Sequence, residues 1–161
     1  NNEDKDYTFG IENIWVLAPT RHGAHNWEGI GKNTVMSELN AFIEFTTTNT
    51  LYPGDEKRII FAGHSMGGHG AWLLGVSFPD LAMAVIPQSG WYRKEYYGDS
   101  NTLFLFDVQN TNIETPLKSI IEMTIQENGI ELHVSNLKNT SCLYELEVMI
   151  RLFIHIGAGE W

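Results

Sequence analysis

The sequence predicts an α/β protein with a mostly parallel sheet and helices on both faces. Two observations carry this. Three short apolar runs, IWVLA at 14–18, RIIFA at 58–62 and LAMAVI at 81–86, lack the polar alternation of a half-exposed strand. Such runs read as strands buried on both sides, the habit of parallel strands under helical cover. Segments of helical character separate them, so strand–helix–strand–helix–strand supplies the crossovers a parallel sheet needs.

The elements follow in order. Residues 1–10 are polar and read as frayed, and strand 14–18 is stopped by Pro19. Residues 20–33 are glycine-rich and without period, a loop. Val35, Leu39, Phe42 and Ile43 recur at i, i+4, i+7 and i+8, one helical stripe, with Asn33 or Thr34 as its cap and the β-branched run 46–50 as its end. Tyr52-Pro53-Gly54-Asp55 reads as a turn before strand 58–62. A helix from Gly68 to Phe78 ends at Pro79-Asp80, and strand 81–86 is stopped by Pro87. Beyond a polar-aromatic loop and LFLFDV, Thr115-Pro116 opens a helix as cap and first-turn proline, with Leu117, Ile120, Ile121 and Ile125 as its stripe and Asn128-Gly129 as its end. The tail 141–161 is apolar and reads as strand or helix.

Composition narrows the function. The 161 residues suit one domain, and 20 acidic against 10 basic residues leave a net charge of −10. That balance argues against nucleic acid, whose phosphates need clustered Lys and Arg. No apolar run approaches the roughly 18 residues of a membrane span. The single Cys142 provides neither a disulfide framework nor a CxxC metal site. No signal peptide is evident; localisation stays open, with the cytoplasm slightly favoured. Because the chain starts at Asn1, it is read as a fragment.

Gly63-His64-Ser65-Met66-Gly67 is G-x-S-x-G. In a nucleophile elbow the serine occupies a sharp strand-to-helix turn in strained backbone with its hydroxyl presented, and side chains two residues to either side would collide. Gly68 and Gly70 are expected to let the helix approach the sheet. The helix start aims N–H groups and a positive dipole end at a developing oxyanion, the Met66 N–H first among them. Chance produces this glycine–serine spacing in roughly one such chain in twenty. A strand ending directly before it and a helix starting directly after it are what chance matches lack.

Residues 59–91 (IIFAGHSMGGHGAWLLGVSFPDLAMAVIPQSGW) resemble the α/β-hydrolase superfamily, most nearly the catalytic domain of prolyl oligopeptidase-type serine peptidases. GHSMGGHGA is also similar to the esterase D/S-formylglutathione hydrolase group. A looser likeness runs from residue 14 to about 137. The resemblance implies a partial α/β-hydrolase fold over 1–140 and an atypical tail over 141–161. It makes Ser65 the nucleophile, Met66 a backbone oxyanion donor and Gly63, Gly67 and Gly68 the elbow glycines. Strands 14–18, 58–62 and 81–86 become the fourth, fifth and sixth of eight. The third strand, whose loop usually gives the other oxyanion donor, has no counterpart.

In this superfamily the acid and then the base follow the serine. The seventh strand is expected near 141–147, yet no fitting acidic loop or eighth strand follows, so both triad partners are unassigned. A frameshift near 139–142 is the hypothesis that would account for this. Met149-Ile150, read from the last base of the Met codon, gives GAT and hence Asp, and the shifted frame from Leu146 permits GSNDKTVHPYWSRRM, similar to an acid-bearing loop. The coding DNA tests the idea.

Other residues attract weaker readings. His155 as base with Asp99 or Asp107 as acid competes with a packed His and two loop carboxylates. His64 and His69, beside the elbow, read as packing residues. His22, His25 and Glu28 hint at metal spacing but read as a polar loop. Trp15, Trp27, Trp72 and Trp91 read as core or pocket lining, with Trp91 and Tyr92 placed for an acyl or peptide pocket. Asn139-Thr140-Ser141 is a weak glycosylation sequon.

The expected function is therefore a serine hydrolase acting on a peptide or small ester, without metal or cofactor, and inactive or nearly so as this chain. A non-catalytic hydrolase-like binding or interaction protein is the alternative. Oligomeric state stays open.

Overall fold

A computed structural model describes residues 12–20, 23, 26–93, 114–127 and 129–143, and the backbone of 152–156. The chain forms β1 (Ile14–Leu17), α1 (Ile30–Asn49), β2 (Gly54–His64), α2 (Met66–Ser77), β3 (Ala82–Gln88), α3 (Thr115–Gln126), α4 (Ile130–His133) with a 3-10 turn (Val134–Leu137), β4 (Ser141–Cys142) and β5 (Leu152–Ile156). Strands 2, 3 and 4 are parallel neighbours, and β5 runs antiparallel between β1 and β2. Four strands therefore point one way and one is reversed. This is the α/β class expected: three parallel strands, β2, β3 and β4, form one side of the sheet and the antiparallel pairings of β5 form the other.

Sequence patterning explains the layers. Ile59, Phe61 and Gly63 of β2 are buried, while Ile60 and Ala62 between them are half-buried, the period of two of a pleated strand. The buried set meets the apolar body of α2 (Ala71, Trp72, Leu73, Leu74, Val76), joined by Val35 and Leu39 of α1, Val85 of β3, Ile130 and Leu137. Successive crossovers step the same way across the sheet. Their shared right hand puts α1 and α2 side by side on one face. Gly75 lets α2 approach β3, for a Cβ there would lie 2.6 Å from Val85 Cγ2. Asn136 then donates from Nδ2 to the Val76 carbonyl (2.9 Å), tying the 3-10 turn to the end of α2.

Several boundaries depart from expectation. Helix α1 starts at Ile30 after Gly29, not at an Asn33 or Thr34 cap, and continues through Thr46 to Asn49. The threonines do not stop it, because their hydroxyls bond back into the helix. Thr46 Oγ1 donates to Ile43 O (2.9 Å) and Thr50 Oγ1 to Thr46 O (2.8 Å). Strand β3 runs through Pro87 to Gln88, paired in register with β2. On its other side β4 pairs only with Ala84 and Val85, so at Pro87 the missing N–H costs no ladder bond there. Glu114, not Thr115, is the N-cap of α3. In the tail, Leu152–Ile156 is strand, and a short strand begins at Ser141 beside β3, where the seventh was anticipated. The segment 1–10, read as frayed, and LFLFDV lie outside the described residues.

Candidate active site

Ser65 joins β2 to α2 with φ 55° and ψ −120°, left-handed backbone that a side-chain-bearing residue rarely adopts. His64 ends the strand, and Met66 is the first helical residue. Two backbone bonds hold the bend: Ser65 N–H donates to Gln88 O of β3 (2.9 Å), and His69 N–H donates to Ser65 O (3.1 Å). Such backbone strain, of order 1–3 kcal/mol, persists only where surrounding structure over-determines it.

Glycines provide that surrounding. A Cβ on Gly63 would fall 2.0 Å from the Gly67 carbonyl oxygen, so the helix start rests on bare backbone of β2. A Cβ on Gly68 would fall 2.4 Å from Gln88 O and 2.8 Å from Gly90 Cα. The first turn of α2 is thus pressed against β2 and against the segment after β3. Gly70 does something other than expected. The Trp27 ring occupies its side-chain direction, with Cδ1 2.6 Å from where a Cβ would be, so it admits a loop tryptophan instead of the sheet.

Gly63, Ser65, Met66, Gly67 and Gly68 therefore lie together at the C-terminal end of the central strands. The remaining candidates separate. His64 is exposed. His155 pairs with Ile14 in β5, between the rungs Ile154–Ile59 and Ile156–Gly54. Ser65 lies beyond Ile59 along β2 by about 20 Å at roughly 3.3 Å per residue. His155 thus sits toward the opposite end of the sheet and cannot serve Ser65 as base. His22, His25, Asp99 and Asp107 lie outside the described residues. Among the described residues no His or carboxylate is hydrogen-bonded to the Ser65 hydroxyl, and no cluster of His, Cys, Asp or Glu has metal-ligand geometry.

An apolar pocket lies behind the elbow helix, lined by Ala18, Pro19, Trp27, Val35, Phe61 and Leu74 and reached by Gly67 and Gly70. Trp27 is the tryptophan lining it. Trp91 and Tyr92 do not: Trp91 stacks on His69 (5.0 Å, 11°) and Tyr92 tilts against Trp72 (5.4 Å). Trp72 is core, and half-buried Trp15 donates from Nε1 to Tyr52 O (2.8 Å). Sequence reasoning missed the union of His69 with Glu28. They are 41 residues apart, yet His69 Nε2 and Glu28 Oε1 are 3.2 Å apart. No spacing rule links a loop carboxylate to a helix histidine; the packing of Trp27 on Gly70 sets the loop against α2.

Set against protein-family models, curated proteins and solved structures, the chain matches none.

Proposed function

We propose that the chain is the elbow-bearing part of a serine hydrolase of α/β-hydrolase type, in which Ser65 attacks an ester or peptide carbonyl and water clears the acyl group. One observation carries the reading. Ser65 occupies left-handed backbone at a strand-to-helix bend, with bare glycine backbone packed beneath it. Strained backbone collects at functional sites, and a serine at the tip of a strand-to-helix bend is the context in which the G-x-S-x-G motif presents a nucleophile. In the proposed reaction the serine oxygen bonds to the carbonyl carbon. The carbonyl oxygen becomes an oxyanion beside the first turn of α2, where the helix dipole favours negative charge. The alcohol or amine leaves with the serine's proton, and water repeats the attack to release the acid.

A fluorophosphonate probe followed by intact-mass measurement tests this. One adduct on Ser65, absent in Ser65→Ala, is expected, formed slowly if the chain supplies no base. A folded protein that never labels overturns it.

The second reading is a hydrolase-like binding protein that keeps the bend as scaffold. Failure to label selects it. Peptide and ester substrates are separated by assaying both classes.

A further inference from the structure

The ring of His69 is fully buried in the first turn of α2 and both of its nitrogens are engaged. Nδ1 lies 2.9 Å from the Trp91 carbonyl oxygen. A carbonyl oxygen only accepts, so Nδ1 carries a hydrogen. Nε2 lies 3.2 Å from Glu28 Oε1, and one further proton between these two atoms completes the bond. The ring also lies flat on the indole of Trp91. With both nitrogens occupied, His69 is not available as a base for Ser65.

The two segments it joins are held in unusual backbone. Before α1, Asn26, Trp27 and Gly29 have φ of 48°, 67° and 51°. After β3, Ser89 has φ 48°. A Cβ on Gly90 would meet Gly68 C at 2.3 Å and His69 N at 2.6 Å, so this segment lies directly against the first turn of α2. Gln88 at its start accepts the Ser65 N–H. Segments 26–29 and 88–91 therefore grip the elbow from two sides, and the His69 ring spans them.

We propose that His69, through Glu28 and the Trp91 carbonyl, is the positioning residue of the elbow, fixing the backbone of Ser65 and of the residues that open α2. Its consequence for catalysis rests on the serine-hydrolase reading; the positioning itself does not.

The test compares Glu28→Ala with Glu28→Gln in the full chain, each checked for folding by its urea transition. The Glu28 side chain is part-buried and keeps more exposure than the His69 ring, so the change is made at the more accessible end of the pair. The glutamine side chain can still bond Nε2, as donor or acceptor, and alanine cannot. Histidine ring ¹⁵N spectra should show Nδ1 protonated in the wild type; an unprotonated Nδ1 overturns the proposal. Backbone amide resonances of Ser65, Met66 and Gly67 should move in Glu28→Ala and return in Glu28→Gln. If they stay put in Glu28→Ala, the positioning claim is overturned. Fluorophosphonate labelling should slow about tenfold in Glu28→Ala and recover to within about twofold in Glu28→Gln, since a misplacement of about 1 Å costs up to about 100-fold. Unchanged labelling in Glu28→Ala overturns the role. If the wild type never labels, the hydrolase reading falls, while the amide and ring spectra still decide the positioning.

Discussion

Ser65 holds a conformation that glycine would adopt more readily, which separates its chemistry from its contribution to folding. Replacing Ser65 by Gly should therefore raise stability above that of Ser65→Ala by about 1–2 kcal/mol, read from urea midpoints. Equal midpoints would show that the backbone at this position is unstrained. The opposite outcome is expected at Gly63. A methyl group there meets the Gly67 carbonyl, backbone that cannot rotate away, so Gly63→Ala should cost about 3 kcal/mol or more. Cys142 offers a pH-dependent check. Partial burial pushes its thiol up, so the folded chain keeps that proton to higher pH than the unfolded chain. Its stabilising share is whole below the ordinary thiol range and is lost as pH rises through that range toward the raised value. Alkylation should lag behind that of the urea-unfolded protein, and the lag should shrink as pH rises.

Helix α1 and strand β2 meet at Thr46, which is completely buried. Its hydroxyl donates to Ile43 O and accepts the Gly54 N–H (3.1 Å), joining the last turns of the helix to the start of the strand. Thr46→Val keeps the shape and strands the Gly54 donor, so a loss of about 1–3 kcal/mol is expected by urea titration. This junction was not legible in the sequence. A run of threonines has poor helix propensity, and the compensating bond to Gly54 forms only once the chain has turned at Pro53. Strands β1, β2 and β3 and helix α2 were legible, because unbroken apolar runs bounded by glycine and proline have few other uses; the tail that holds β5 read equally as strand or helix. The bend at Ser65 was legible for a related reason: Gly63 and Gly68 sit where neighbouring backbone leaves no room for a Cβ, a requirement that shows directly as composition.

At the scale of the sheet, β5 joins its two halves. Strand β1 has β5 as its neighbour, and Ile154 pairs with Trp15 on one side and Ile59 on the other. Proline at 154 removes a ladder donor from an interior strand and should cost about 3 kcal/mol or more. Hydrogen exchange should show the amides of Ile14–Leu17 losing protection before those of β2. If β1 stays protected, β5 is not what holds it. The pocket behind the elbow depends on the same joint, for Ala18 and Pro19 just after β1 face Phe61 of β2 across it.

Local chemistry written along the chain settles where β1, β2, β3, the main helices and the bend at Ser65 form, since hydrophobic period and the steric demands of glycine act over a few residues. It does not settle which distant groups meet. The reversed β5 between β1 and β2, the Thr46–Gly54 bond and the clasp of Glu28, His69 and Trp91 join residues from 8 to more than a hundred positions apart. Each depends on a geometry that exists only after packing has brought the partners together, when a buried donor or acceptor must find whatever complement the fold has placed beside it.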